Sequence, residues 1–410
     1  MKVLIATLLL FISNSCQRQD FDKTVDYISR SNNFSGSILL AFNDSIIINN
    51  AYGFSDRENK YLNNPNTIFP IASITKLFIK QAILQLEDNQ RLSLDDTLSR
   101  YCDLIKYADS VTLSDLLYHK SGIPDIHNRV QHFNRPEELQ DSISITELFK
   151  IINSFDRLEF KPGSQVSYSN SNYLILTYII EKLTNKPLDT YLKETIFLPY
   201  NMTHTGLYKY YSTRNGNTAG FYNRNNSINF VQDFNFTNFW GSGNAYSTTQ
   251  DLFNYYRNSH KYLKSEISSQ LVQHSGYYLG FRSYYKVIPE IGLAAIILSN
   301  NGDFNTDLII YEFIEYVKKN HLKNNNRNAT FNKSLIGSYQ TIRNGNTTTI
   351  EVTYEKNEFR INKTKLFPIG TNKFLMDNNS LTSISFSIKG NNAVELIMND
   401  NGEILIFCKL

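Results

Sequence analysis

Two β-rich runs near the start of the chain, Ser35–Phe42 and Ser45–Tyr52, flank Asn43-Asp44, a dipeptide suited to a tight turn, and this predicts a hairpin. The β signal returns far along the chain, at Tyr277–Val287 and Ile291–Leu298. Between these ends the apolar residues recur at helical spacing, over Ser73–Glu87, Leu113–His119, Ser144–Ser154, Tyr173–Leu183 and Ser247–Asn258. Ser144 and Glu147 form a capping box, Asp20–Ser31 reads as an entry helix, and Leu308–Val317 reads as a helix closing the unit. Strands at both ends with helices between them do not fit an alternating βαβ chain. They predict an α+β fold, in which one sheet is assembled from distant segments with a helical region inserted.

A second unit follows. Residues His321–Asn332 are polar and Asn-rich, a linker composition, so 321–334 is read as a connection between a main domain at 16–320 and a small domain at 335–410. The small domain shows about eight short alternating segments. They are punctuated by Asn344-Gly345, Lys356-Asn357, Lys389-Gly390-Asn391 and Asn401-Gly402. That pattern predicts an antiparallel β-barrel or sandwich, without a titratable cluster and therefore structural or docking in role. A chain of 410 residues also exceeds what one core usually organises.

Residues 1–15 have a secretory layout: Lys2, the apolar run Val3–Ile12, then the small polar stretch Ser13-Asn14-Ser15. The run is shorter than the roughly 20 residues that span a bilayer. Cys16 follows directly, which resembles a bacterial lipoprotein signal with Cys16 as the lipidated residue, although Ser13 stands where that pattern prefers Leu. A lipid-anchored place in the cell envelope, periplasmic or on the outer face, is the expectation; simple secretion is the alternative. Lys+Arg 41 against Asp+Glu 38 leaves +3 with no dense basic block, so nucleic acid is not an expected partner. Cys16, Cys102 and Cys408 contain no Cys-x-x-Cys pair, and neither a thiolate metal site nor any cofactor is expected. A Cys102–Cys408 disulfide is not expected either, because it would have to bridge two domains.

The chemistry is carried by three short patterns. Ser73-Ile74-Thr75-Lys76 opens a helix, and a spacing of three puts hydroxyl and amine on one face. A lysine in a dry pocket has its pKa lowered and can take the serine proton, while the helix N-terminus offers backbone N–H groups, that of Ser73 included, to an oxyanion. A second copy, Ser283-Tyr284-Tyr285-Lys286, lies in a strand pattern, where residues three apart face opposite ways. The next pattern, Tyr168-Ser169-Asn170, follows the turn Phe160-x-Pro162-Gly163 and reads as an extended segment presenting a phenol and an amide to one side. Tyr61–Asn63 and Tyr256–Asn258 repeat the spacing without that setting. Last, His274-Ser275-Gly276 precedes a strand, and Gly276 allows a ligand close to the backbone, so that the Tyr277 N–H can join an oxyanion hole. His204-Thr205-Gly206 is its rival, in a turn-rich stretch.

In this order, Ser-x-x-Lys, Tyr-x-Asn and His-x-Gly resemble the serine β-lactamase-related superfamily of class C β-lactamases, D-Ala-D-Ala carboxypeptidases and β-lactamase-like esterases. Ile71–Lys76, Leu92–Asp96, Leu116–Asp125, Tyr168–Tyr173 and Tyr246–Thr248 also look like the family, over roughly residues 25–320. The resemblance implies a β-lactamase/transpeptidase-like antiparallel sheet flanked by helices, with an inserted helical region. It also implies Ser73 as acylated nucleophile, Lys76 as base partner, Tyr168 as proton relay and Asn170 as donor to a substrate amide. His274 stands where class C β-lactamases carry a lysine, and imidazole is fully charged only below about pH 6.5, which makes it a weaker cation for a β-lactam carboxylate. A D-amino-acyl peptide or carboxylic ester is therefore the expected substrate ahead of efficient β-lactam hydrolysis. A non-catalytic envelope binding protein on the same scaffold is the alternative. Tyr200-Asn201 replaces the family's usual Leu-Gly between Pro199 and Met202, and Gly241-Ser242-Gly243-Asn244 stands where Gly-Gly is common. The segment with Gly337-Ser338-Tyr339 resembles the lipocalin-like appendage of some members.

Overall fold

The computed structural model describes residues 18–129 and 143–410, apart from 212–217, 225–226, 232–233, 264–271, 279, 289–291, 321–331, 344–345, 357, 371, 377–381, 391 and 401–402. The leader at 1–15, Cys16 and most of the 321–334 linker therefore lie outside the described residues.

Asn43 and Asp44 both adopt positive φ, 48° and 60°, as a tight hairpin turn between right-twisted strands requires. They join β1 (Gly36–Phe42) to β2 (Ser45–Tyr52). Three later strands, β3 (Val272–Tyr278), β4 (Phe281–Ile288) and β5 (Leu293–Ser299), complete a five-stranded sheet in the order β3-β4-β5-β1-β2. All its pairings are antiparallel, and β1 runs against β5 from Gly36↔Ser299 to Phe42↔Leu293. The Tyr277–Val287 run is thus a hairpin, not one strand: Gly280, at φ +80°, turns the chain between β3 and β4. As a consequence His274-Ser275-Gly276 lies inside a strand and does not precede one.

Both faces of this sheet are covered, which is why β1 and β5 are buried along their whole length. Alternation divides them between two cores. Ile38, Leu40, Ala295 and Ile297 pack on one side with Phe21 and Val25 of helix α1 (residues 18–31) and with Ile310 and Phe313 of helix α5 (Asp307–Asn320). Leu39, Ala41, Ile296 and Leu298 face the inserted helical region, which includes α2 (Thr75–Asp88), α3 (Asn170–Thr184) and α4 (Thr249–Asn258). Helix α3 begins three residues before the expected Tyr173, and Ser247 belongs to a short strand, Ala245–Ser247, with Thr248 capping α4.

Residues Gly337 to Lys409 form an eight-stranded closed antiparallel barrel whose last strand returns to the first through Tyr339↔Lys409 and Gln340↔Cys408. Lys356 and Gly390 take positive φ at two of its turns. Alternate residues such as Tyr339, Ile350, Val352, Phe359 and Leu396 point inward and make a core of their own, and a barrel of about eight strands is narrow enough for side chains to fill. Cys102 is buried and Cys408 exposed, and both are free thiols.

Asn201 sits at φ 55°, the left-handed region the family's glycine would occupy. Replacing Asn201 with Gly is expected to leave thermal stability unchanged or slightly higher, whereas Asn201→Val lowers it by about 1–2 kcal/mol. An unaltered melting temperature for the valine variant contradicts this account of the loop.

Candidate active site

Ser73 is held by its predecessors. The Ile71 N–H donates to Ala245 O at 2.9 Å, and the Ser283 hydroxyl donates to Ile71 O at 2.8 Å. Ala72 is then forced to φ 45°, a left-handed conformation that costs a non-glycine residue about 1–2 kcal/mol. A 3-10 turn over Ala72–Ile74 carries Ser73 into α2, and the Thr75 hydroxyl locks it by donating to Ala72 O at 2.6 Å. Strand β3 passes directly over this turn. A Cβ on Gly276 would lie 2.4 Å from Ile71 O and 2.2 Å from Ser283 Oγ, so only glycine permits the approach. Gly276 and Tyr278 face this side, and His274, two residues earlier, shares their face. Tyr277, next to Gly276, projects its ring the other way and is 55% exposed. The second Ser-x-x-Lys is thereby accounted for: Ser283 supports the Ser73 turn, and Lys286 is on the opposite face.

Lys76 is 0% exposed, and the chain surrounds its amine with acceptors. Nζ donates to Ser73 Oγ at 3.1 Å, to Asn170 Oδ1 at 2.7 Å and to the backbone carbonyl of Ser242. The Tyr168 hydroxyl stands 2.8 Å from Ser73 Oγ, and its ring lies 5.0 Å from the Lys76 nitrogen. The Ser73 turn, the start of α3 and the 241–244 loop thus meet at one amine. Tyr168 and Asn170 do not come from one extended strand, since Asn170 is already the first residue of α3 and Ser169 its N-cap. They converge because the helix start turns the amide inward.

The Asn170 NH2 donates to both oxygens of Asp125, at 3.2 and 3.1 Å, and its carbonyl accepts from Lys76, so the amide is engaged on both ends. An ionised carboxylate can only accept, which fixes this orientation. Asp125 belongs to a segment, 119–127, that docks on the start of α3. His119 Nδ1 accepts from the Ser169 N–H at 3.2 Å, Ser121 donates to Asn172 Oδ1 at 2.7 Å, and Ser171 donates to Pro124 O at 2.7 Å. The His119 ring stacks between Tyr168 and Tyr173, with centroids at 4.7 and 5.2 Å. The family likeness of Leu116–Asp125 is the one signal the sequence gives for this segment, and it carries no role for Asp125 or His119.

Burial sets the proton affinities. Desolvation lowers the Lys76 pKa to about 7, with the Asp125 charge opposing the drop. Tyr168 is 46% exposed as a residue, but its hydroxyl bonds Ser73 and Asn170, and desolvation raises its pKa. Burial, reinforced by the charges of Lys76, His274 and Lys80, drives His119 down to about 3. That coupling places His274 within electrostatic reach of the cluster. The rival His204 is exposed, and its interactions are with Thr203 and Asp251. Of the other Tyr-x-Asn copies, Asn63 bonds Tyr52 O and Ser35, and Tyr256–Asn258 lies within α4.

The chain matches the family model described as Beta-lactamase over residues 21–273. Protein flp of Staphylococcus aureus is 29% identical over 338 residues, covering 73% of this chain and 66% of that protein. A Bacillus subtilis (strain 168) protein designated PbpX is 31% identical over 239 residues, 57% of this chain and 58% of that one. The chain thus spans less than two thirds of the length of these relatives. Among solved structures, D-amino acid amidase from Ochrobactrum anthropi SV3 superposes with a TM-score of 0.62 at 20% identity, over 74% of this chain and 99% of that one. The octameric penicillin-binding protein homologue from Pyrococcus abyssi gives 0.60 at 20% identity over 95% of this chain and 99% of that one. At such identity these structures speak to the fold alone.

Reaction of Ser73 with a fluorophosphonate is expected to rise with pH through about 7, because Lys76 accepts a proton only once it has lost its own. Lys76→Ala should slow labelling by about 10²–10⁴. A flat pH profile, or an unchanged rate in the alanine variant, excludes Lys76 as the base.

Proposed function

The chain belongs to the beta-lactamase family, and from that premise we propose that it is a serine hydrolase working through an acyl-enzyme at Ser73 on an amide or ester. The observation that carries this reading is the shared network of Ser73, Lys76 and Tyr168, with a desolvated amine 3.1 Å from the hydroxyl.

The groups divide the work by proton affinity. Near neutral pH an appreciable fraction of Lys76 is uncharged, whereas Tyr168, with its pKa raised, stays a phenol. Lys76 Nζ takes the Ser73 proton as Oγ bonds to the substrate carbonyl carbon. The carbonyl oxygen becomes an oxyanion facing the N–H groups of Ser73 and Tyr277. Tyr168, in contact with Ser73 Oγ, hands a proton to the departing amine or alkoxide and is reprotonated from Lys76, and water then repeats the sequence to release the acid.

His274 in place of a lysine favours D-amino-acyl peptides and carboxylic esters over efficient β-lactam turnover, since imidazole holds little charge at neutral pH. A complete proton-transfer network favours turnover over the binding-protein alternative. Purified protein should hydrolyse at least one of a panel of esters, D-amino-acyl peptides and β-lactams, with the acyl group mapped by mass to Ser73 and both lost in Ser73→Ala. Saturable binding of panel compounds without turnover would favour the binding protein instead.

The leader pattern before Cys16 supports a place in the cell envelope with a lipid anchor. Metabolic labelling with a clickable fatty acid should tag the protein and fail on Cys16→Ser; equal labelling of both rejects the anchor.

A further inference from the structure

Asp125 is 6% exposed, and every hydrogen bond found at its carboxylate is donated to it. Oδ1 accepts from the His127 N–H at 3.1 Å, the Asn170 N–H at 3.2 Å and Asn170 Nδ2 at 3.2 Å, while Oδ2 accepts from Asn170 Nδ2 at 3.1 Å. Burial raises its pKa, and these donors and Lys76 oppose the rise by favouring the charged form. On the far side of the same amide, the Asn170 carbonyl accepts from Lys76 Nζ. Amine, amide and carboxylate therefore form a linear chain.

We propose that Asp125 is a positioning residue for the Lys76 amine, acting through Asn170: it fixes the amide with its carbonyl toward Nζ and stabilises the ammonium formed when Ser73 gives up its proton. The inference rests on the reading of Lys76 as base. Its logic is that of the carboxylate behind a catalytic imidazole, which orients the base and stabilises its protonated form without itself taking the proton. The balance is one proton moving from Ser73 Oγ to Lys76 Nζ, with Asp125 remaining a carboxylate throughout.

Other groups facing Lys76 do not replace it. Tyr168 and Tyr173 present rings at 5.0 and 5.6 Å, and Ser242 presents a carbonyl. His119 and His127, from the same docked segment as Asp125, are held neutral by burial, each near about 3. Lys80, one turn along α2, and His274 from β3 bring positive charge or none. Among the described residues, Asp125 is the charge that favours protonation of the amine.

The test uses full-length protein and the variants Asp125→Asn, Asn170→Ala and their double. Fluorophosphonate labelling of Ser73 is followed against pH, and the Lys76 side chain is titrated by NMR of [¹³Cε]-lysine, assigned with Lys76→Arg. Loss of the negative charge makes Lys76 less basic, so Asp125→Asn should shift both midpoints to lower pH and reduce the plateau labelling rate, by up to about 10²-fold if the amine is misplaced. The double variant should label no more slowly than Asn170→Ala alone. An unshifted Lys76 titration, or losses that multiply in the double variant, overturns the proposal. Should Asp125→Asn fail to fold by thermal melting, Asp125→Glu serves in its place: it keeps the charge, so the midpoint should hold while the plateau falls, and the reverse pattern overturns the proposal. Absence of Ser73 labelling in the unmodified protein would refute the hydrolase reading, and the NMR titration would still decide the electrostatic role of Asp125.

Discussion

An amine buried at 0% exposure is the constraint around which the site is built. Taking an ammonium out of water is unfavourable unless acceptors replace the lost hydration, so three separate segments must each deliver an oxygen to Lys76. Desolvation that demands this cage also brings the amine to about 7, where it can exchange protons with a serine. One physical fact explains both why the Ser73 turn, the start of α3 and the 241–244 loop must meet and why their meeting point is reactive.

The sheet provides the rigidity that such a meeting needs. Covered on both faces, β1 and β5 cannot shift without disturbing two cores, and β4 and β3 are registered against them strand by strand. Against that support the chain holds Ala72 in a strained conformation, with Ser283 gripping the carbonyl before it and Gly276 letting β3 lie against the turn. Strain of this kind persists only where neighbours over-determine it, and here the bond that Ser283 of β4 donates to Ile71 O and the bond that the Ile71 N–H donates to Ala245 O do so.

A second support comes from the start of α3. Helix N-termini leave N–H groups without partners, and those of Ser169 and Asn170 are taken by His119 and Asp125 from a segment far earlier in the chain. The Ser169 side chain makes no cap of its own. By capping the helix from outside, the 119–127 segment also aims the Asn170 amide and stacks the Tyr168 ring, so helix stability and site geometry depend on the same contacts.

The chain's own local patterns are enough to predict the Asn43-Asp44 hairpin, the helix that carries Lys76, although it begins at Thr75 and Ser73 sits in the 3-10 turn before it, and the succession of short strands that close into the barrel. Each rests on contacts within a few residues. In the sequence β3 and β4 look like one strand, because both arms are rich in tyrosine and a single glycine, Gly280, marks the turn between them. Tyr-x-Asn says nothing about what stands behind the amide of Asn170. Asp125 and His119 carry no local mark for the same reason: their partners lie across the fold, and no local pattern records which way a carboxylate faces once it is buried. Sequence determined which groups can do chemistry and which of them share a helical face. Only the tertiary structure decided their proton affinities and orientations, because these depend on the water excluded and the dipoles gathered when distant segments pack.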